Sequence, residues 1–179
     1  MNIRIASPTI YDSIVDGPGL RMVLWTQGCP HNCKGCHNPK THSNNGGYEI
    51  DIKEVTKQMS NMRLQKGITF SGGEPFLQQE ALKEIAIEAK NNNLDIWCYT
   101  GFTFEELLDK SNPSYFKNLN LLKYIDVLVD GRFVEEKKKF GLKFRGSTNQ
   151  RIIDVQKSLK YKNIFLNENY YEKNLYEAK

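Results

Sequence analysis

Three of the chain's four cysteines lie within the eight-residue segment CPHNCKGC at positions 29–36. Thiolates spaced as C-x3-C-x2-C can hold three corners of a cubic iron–sulfur cluster, which prefers cysteine sulfur. One iron of a four-iron cube then has no protein ligand, and an open metal position is typical of a centre that performs chemistry. The positions of Cys29, Cys33 and Cys36 therefore favour a catalytic iron–sulfur site.

Two other interpretations of this loop stay open on spacing alone. A structural zinc ion would take the three cysteines and one of His31, His37 or His42 as its fourth ligand. Zinc sites usually draw paired ligands from two separate segments, so a single loop fits zinc less well. The third interpretation is three free thiols in a mobile loop.

Two further segments carry residues suited to binding a ligand. Gly72 and Gly73 have no side chain to keep a ligand from the backbone, and Glu74 can accept a charge-assisted hydrogen bond. Asp130, followed by Gly131, is a second candidate for a polar contact. Each segment also has a purely structural interpretation, as a turn at the end of a strand or the start of a helix.

These candidates follow predicted strands in an alternating pattern of strands and helices. The strands are predicted at 20–27, 67–70, 95–99 and 124–129; the helices are predicted to begin at an Asp51 cap, to span about 77–91 and to begin at a Thr103–Glu106 capping box. This α/β pattern predicts a partial (β/α) barrel, with a curved mostly parallel sheet, outer helices and the cysteine loop after the first barrel strand. Ligands bind at the carboxyl ends of parallel strands, so the three segments are expected to converge.

Length and composition restrict the possible classes of protein. The 179 residues predict a single domain over 1–179, with a core at about 12–155 and a polar tail at 156–179. A complete eight-unit barrel needs about 250 residues. The net charge of +4 is modest for a nucleic-acid binder, and neither a spanning segment nor a secretory signal is evident. We therefore expect a cytoplasmic protein with neither a nucleic-acid nor a membrane partner.

Taken together, the motifs resemble those of the glycyl-radical-enzyme activases of the radical S-adenosylmethionine superfamily. The cysteine spacing resembles that superfamily's cluster signature, and SGGEP at 71–75 resembles its motif for the methionine end of the cofactor. The segment DGPGLR at 16–21 is similar to the one that precedes the cluster in activases. GCHNP at 35–39 and RGSTNQR at 145–151 make the resemblance to the activases more specific. Together the motifs cover about residues 12–151.

The resemblance implies two cofactors: a [4Fe-4S] cluster on Cys29, Cys33 and Cys36, and S-adenosylmethionine. The reduced cluster would pass one electron to the sulfonium, giving methionine and a 5′-deoxyadenosyl radical that removes a hydrogen atom from a glycine of the protein substrate. The implied substrate is an anaerobic ribonucleoside-triphosphate reductase, and the implied electron donor is of the flavodoxin or ferredoxin type. No side chain would be catalytic beyond the cluster and cofactor.

The implied cofactor contacts come from the cysteine loop and from the ends of two strands. They are Gly35, Cys36, His37, Gly72, Gly73, Glu74 and Asp130. The family often has an aromatic residue just before the third cysteine, where this chain has Gly35. His37 is expected to supply a ring against the adenine instead.

Two alternative functions belong to different classes. One is a short radical S-adenosylmethionine enzyme acting on a small molecule, of the deazapurine synthase type; the segments at 16–19 and 145–151 argue against it. The other is a zinc-stabilised module that binds nucleic acid, which metal analysis would distinguish by zinc without sulfide.

Overall fold

Eight strands form one mixed sheet in the computed structural model, which describes residues 1–171. Each strand has four to six residues. The strands are β1 (Asn2–Ile5), β2 (Ile10–Ser13), β3 (Arg21–Thr26), β4 (Tyr48–Asp51), β5 (Gly67–Gly72), β6 (Asp95–Tyr99), β7 (Val127–Asp130) and β8 (Arg151–Asp154).

Five α-helices are present among residues 1–171, with short 3-10 turns between some of the elements. The helices are α1 (Ile52–Met59), α2 (Gln79–Asn91), α3 (Phe104–Leu107), α4 (Tyr115–Leu122) and α5 (Val155–Tyr161). None of the helices in this part of the chain is long and apolar enough to cross a membrane.

The centre of the sheet is parallel and its flanks are antiparallel. The strand order is β4-β1-β3-β5-β6-β7-β8, with β2 paired to β3. Strands β3, β5, β6 and β7 run parallel, and β1, β2, β4 and β8 are antiparallel to their neighbours. The mixed α/β class with a parallel centre is confirmed, and the loops after β3, β5, β6 and β7 meet at one edge of the sheet.

The main hydrophobic core lies between the sheet and the helices. Strand residues such as Leu24, Phe70 and Ile96 pack with helix residues such as Val55 and Leu82, all of them buried. A second cluster on Trp97, Val127, Val129 and Ile152 is covered by the partly buried Tyr99, Phe144, Tyr170 and Tyr171. Strands β6 and β7 therefore have apolar packing on both faces, which helps to fix their carboxyl ends.

Local signals in the sequence set several element boundaries. Asp51 caps α1 by accepting a hydrogen bond from the Lys53 backbone N–H, and Thr103 and Glu106 form the predicted capping box of α3. The predicted strand at 95–99 is β6. These predictions are confirmed because short-range hydrogen bonds begin the two helices and a short run of buried residues forms β6.

The two ends of the chain differ from the predicted core and tail. Ile3 and Ile5 of β1 belong to the main core, although the core was predicted to begin near residue 12. Residues 155–161 form α5, and Tyr170 and Tyr171 pack against the second cluster, where a polar tail was predicted from 156. The rest of that predicted tail, 172–179, lies outside the described residues.

Candidate functional site

A cavity of about 450 Å³ lies where the loops after β3, β5, β6 and β7 meet. Cys29, Cys33 and Cys36 all line it, together with the Gly72–Gly73 pair. Gly131 lines it as well, at the end of β7. The convergence predicted from the parallel sheet therefore occurs for the cysteine loop, the glycine pair and this part of the Asp130–Gly131 turn.

The cysteine loop is held by backbone hydrogen bonds at its two ends. Gly28 N–H donates to Thr41 O at 2.8 Å, and Cys29 N–H donates to His42 O at 3.1 Å. Within the loop, Asn38 N–H donates to the Cys36 sulfur at 3.3 Å. All three loop cysteines are free thiols of intermediate exposure, so the loop presents sulfur donors without burying them in a core.

The Cys29 thiol has a raised pKa. Burial is the main cause, the His31 backbone N–H opposes it, and the charges of Glu74 and the other two loop cysteines raise it further. The thiol therefore stays protonated until a metal displaces the proton, as thiolate ligation requires.

Gly72 and Gly73 allow two loops to touch. A Cβ on Gly73 would lie 2.3 Å from Gly28 O, and one on Gly72, which has φ +104°, would lie 2.5 Å from Thr26 N. Because the two glycines have no Cβ atom, the loops come close enough to form two hydrogen bonds. Gly73 N–H donates to Thr26 O, and Glu74 N–H donates to Gly28 O, both at 2.7 Å. The pair therefore packs the loop after β5 directly against the start of the cysteine loop.

Glu74 is fully buried and does not line the cavity. Its carboxylate accepts four hydrogen bonds from the protein. The donors are Phe76 N (3.0 Å), Thr100 Oγ1 (2.8 Å), Gly101 N (2.9 Å) and His31 Nε2 (2.8 Å). Glu74 therefore joins three loops at the base of the site through hydrogen bonds from the chain itself.

His37 and Gly35 differ in position although both flank Cys36. The His37 ring lines the cavity and lies 5.3 Å from the Phe133 ring, which lines it too. Gly35 does not line the cavity; it has φ +70°, and a Cβ there would lie 2.8 Å from Glu135 Oε1. The structure thus brings two rings, but not Gly35, to the cavity wall.

Asp130 belongs to a neighbouring cavity of about 560 Å³ and not to the cysteine cavity. The buried carboxylate accepts from Phe104 N at 2.8 Å and from Arg151 Nε at 2.9 Å. Arg151 also pairs with Glu105. The hydrogen bonds and opposite charge of Asp130 and Glu105 raise the pKa of Arg151, so the guanidinium stays charged.

Other residues of the cavity wall were not predicted as site residues. Among those lining the cavity are Tyr99, Thr100, Gly101, Phe133 and Arg145. Ligands bind at the carboxyl ends of parallel strands, so Thr100 and Gly101 could have been predicted from their position directly after the 95–99 strand. Phe133 and Arg145 lie in the long connection between β7 and β8, where no strand end marks them.

The donor set fits an iron–sulfur cluster with three protein ligands. Within residues 1–171, no three His, Cys, Asp or Glu side chains converge as the ligands of a single metal ion. The cysteines instead share the wall of one cavity, which suits sulfur ligands to separate corners of a cube. His31, one of the three possible zinc ligands, has its Nε2 bound to Glu74.

Comparison with known proteins identifies the family. Residues 15–153 match the family model of a 4Fe-4S single cluster domain. The chain is 37% identical over 147 residues to the anaerobic ribonucleoside-triphosphate reductase-activating protein of Vibrio cholerae, covering 78% of this chain and 90% of that protein. The proteins of the same name from Haemophilus influenzae (36% over 147 residues, 78% and 90%) and Enterobacteria phage T4 (35% over 145 residues, 77% and 86%) are similarly related. The chain belongs to the family of anaerobic ribonucleoside-triphosphate reductase-activating proteins.

Proposed function

We propose that this chain is a cytoplasmic oxidoreductase that activates an anaerobic ribonucleoside-triphosphate reductase by generating a glycyl radical on it. The observation that carries the proposal is the shared cavity of Cys29, Cys33, Cys36, Gly72 and Gly73 at the carboxyl edge of the parallel strands. The related proteins from Vibrio cholerae and Haemophilus influenzae, named as reductase-activating proteins, support the same partner.

The three cysteines are the proposed ligands of a [4Fe-4S] cluster, and S-adenosylmethionine is the proposed second cofactor. Held there and reduced, the cluster would supply the one electron that cleaves the S-adenosylmethionine sulfonium, the chemistry needed to remove a hydrogen atom from a glycine. The proposed electron donor is a flavodoxin- or ferredoxin-type protein. The chain's own residues supply the sulfur donors, the shape of the cavity and shielding from water.

The cavity has room and suitable groups for a nucleoside. Its volume of about 450 Å³ lies within the usual range of ligand pockets, about 300–1,000 Å³. The rings of His37 and Phe133 offer stacking surfaces for adenine. Gly72, Gly73, Cys36 and His37 are the proposed cofactor contacts.

For the other three residues expected to contact the cofactor, we propose structural roles around the cavity. Gly35 permits the positive-φ turn before Cys36, and Glu74 ties the loops together. Asp130 orients Arg151 at the neighbouring cavity. Burial of Glu74 and Asp130 among protein donors supports this assignment.

The proposed partial barrel leaves an open side for the reductase. Val15 supports this, because it lines the cavity and yet is 72% exposed. Val15 directly precedes the 16–21 segment, which resembles that of glycyl-radical-enzyme activases. An open, partly apolar rim suits a segment of another protein better than an enclosed small molecule.

Anaerobic reconstitution tests the proposed function. The chain, loaded with iron and sulfide, is mixed with reductant, S-adenosylmethionine and the candidate reductase, and electron paramagnetic resonance is recorded. We expect a glycine-centred doublet on the reductase. Zinc without sulfide, or cofactor cleavage without a doublet on the reductase, would contradict the proposal.

A further inference from the structure

The connection between β7 and β8 begins and ends at the cysteine cavity. Phe133 lines the cavity after β7, and Leu142, Phe144 and Arg145 line it on the return towards β8. Between these wall residues lies an exposed arm, residues 137–143, in which only Leu142 is partly buried. A molecule bound to the arm would therefore lie beside the mouth of the proposed metal site.

The base of the arm is fixed on both sides. Lys138 forms an antiparallel bridge with the fully buried Ser147, and the Ser147 hydroxyl accepts a hydrogen bond from Val134 N–H at 3.2 Å. On the other side, Phe144 packs edge-on against Trp97, with the ring centroids 5.3 Å apart. The tip of the arm therefore has a defined position relative to the cavity.

The tip of the arm exposes a large aromatic side chain. Phe140 is 97% exposed, and a Cβ on the neighbouring Gly141 would meet no atom within 4 Å. A phenylalanine ring gains free energy when a partner removes it from water. Because single exposed apolar residues are common on protein surfaces, the surroundings of the ring decide whether it marks a docking surface.

The surroundings of the exposed ring are basic. Four of the seven residues of the arm are lysine, and none is acidic. The exposed side chains of Lys137, Lys138 and Lys143 form no ion pair within residues 1–171. The arm follows Glu135 and Glu136, and Glu135 pairs with Lys34 at 3.2 Å, so the lysines keep an excess of positive charge. An apolar ring among such lysines suits a partner that offers carboxylates around an apolar pocket.

We propose that the arm at 137–143 is a docking surface for the reductase: Phe140 inserts into an apolar pocket on an acidic segment of that partner, and the lysines pair with its carboxylates. The inference rests on the proposed function in taking the reductase as the partner, and it adds the surface and its chemistry. A second copy of the chain fits less well, because a two-fold contact here would bring the same lysines together. Attraction between the lysines and the acidic segment would also steer the encounter towards the cavity.

Two variants of the full chain remove the two parts of the surface separately. Phe140→Ser removes the ring, and the double variant Lys138→Gln/Lys143→Gln removes two of the charges. Binding of each reconstituted chain to the candidate reductase is measured by calorimetric titration at low and at high ionic strength. Cleavage of S-adenosylmethionine without the reductase is measured in parallel.

Matched controls make the same changes elsewhere on the surface. Phe116→Ser replaces a ring of α4 that is 74% exposed and lines neither of the two cavities. The double variant Lys53→Gln/Lys57→Gln removes two charges from exposed positions of α1. Thermal unfolding verifies that all four variants are folded.

We expect Phe140→Ser to weaken binding about thirtyfold, the ratio that corresponds to one aromatic anchor of about 2 kcal/mol. The Lys138→Gln/Lys143→Gln variant should bind about fivefold more weakly at low ionic strength, as expected for exposed ion pairs. That difference should disappear at about 1 M salt, which screens exposed charges. Both controls should bind like the wild type, and cofactor cleavage should be unchanged because none of the replaced side chains lines the cysteine cavity.

Wild-type affinity in Phe140→Ser would overturn the inference, as would an equal loss of affinity in Phe116→Ser. Dimerisation of the chain alone that Phe140→Ser abolishes would also overturn it, because a second copy would then cover the ring. Activation of the reductase by a Phe140→Ser variant that binds normally would leave the proposed function intact. Failure of the wild type to bind and activate the reductase would instead refute the proposed function, and the inference with it.

Discussion

Cys33 is the middle sulfur donor of the loop and belongs to neither hydrophobic cluster. We expect Cys33→Ala to abolish cluster retention and S-adenosylmethionine cleavage with little change in unfolding free energy, because its side chain supports no core packing. Iron and sulfide content, cofactor cleavage and thermal unfolding are the measurements.

The matched control for this variant is Cys98→Ala in β6. Cys98 is fully buried in the main core, where burial raises the pKa of its thiol well above the usual value. We expect this variant to lose about 1 kcal/mol of stability and to retain its iron. Iron retained in Cys33→Ala would remove Cys33 from the metal site. Iron lost in Cys98→Ala would show that iron retention depends on the stability of the core and does not report the ligands.

Glu105 provides a pH-dependent contribution to stability. Its hydrogen bond to Arg151 is the main cause that lowers the pKa of this carboxyl from its ordinary 4.5. A lowered pKa in the folded state means that the contribution is present above the ordinary pKa and is lost as the pH falls through the folded value. Because Glu105 is 59% exposed, solvent screening keeps the contribution small.

Comparison of the wild type with Glu105→Gln isolates this contribution. We expect the wild type to have the larger unfolding free energy at about pH 6, with the difference shrinking as the pH falls through the lowered pKa of the carboxyl. Chemical unfolding at low ionic strength measures it. A difference that stays constant across this range would show that the ion pair with Arg151 is not responsible.

Sequence reasoning predicted that the three loop cysteines lie together at the site, but not the surroundings of the carboxylates. Cys29, Cys33 and Cys36 are recognisable because the spacing itself carries the chemistry. The residues next to Glu74 in the sequence do not show whether its carboxylate faces a ligand or a set of protein donors. Those donors include His31 and Gly101, which lie far from it along the chain, so only the folded structure shows that the carboxylate is buried.

At the scale of elements, the site depends on contact between the loops that follow β3 and β5. Gly73→Ala would place a Cβ 2.3 Å from Gly28 O, a backbone atom that cannot rotate away. We expect a loss of about 3 kcal/mol of stability, together with reduced iron retention, because the cysteine loop must shift. Denaturant unfolding and iron analysis measure the two effects.

Gly141→Ala is the control for the glycine substitution. Gly141 has φ +83°, and a Cβ there would meet no atom within 4 Å, so only backbone strain of about 1 kcal/mol is expected. Iron retention should match that of the wild type. If Gly73→Ala behaves like Gly141→Ala, the close packing of the two loops is not what positions the cysteines.

The elements that were predicted have their determinants nearby in the chain. Helix α1 follows from its Asp51 cap and its apolar face, and β6 from a short apolar run. Strands β1, β4 and β8 were not predicted, since each has four residues and depends on antiparallel pairing with a distant strand. Local propensity carries little information about such pairing.

At the scale of the whole molecule, the C-terminal part of the described chain covers the second face of the sheet. The Tyr170 ring lies 5.2 Å from Trp97 and 5.5 Å from Phe144, edge-on to both. Phe144 also lines the cysteine cavity. This aromatic group therefore connects the end of the described chain with the wall of the site.

Replacing Tyr170 tests that connection. We expect Tyr170→Ala to cost about 1–2 kcal/mol and to shift tryptophan emission to longer wavelength, because water reaches Trp97. The control is Tyr161→Ala, since Tyr161 is 57% exposed and packs with Phe165. Unchanged emission in Tyr170→Ala would show that residues beyond α5 do not shield Trp97.

The three proposed sulfur ligands come from one short surface loop, and none of them belongs to a core cluster. The scaffold and the proposed metal centre are thus built from different parts of the chain. We therefore expect that a biogenesis factor can deliver a preassembled inorganic cofactor to a chain that is already folded. Destruction of that cofactor by oxygen should then leave the polypeptide folded, so that the site can be loaded again.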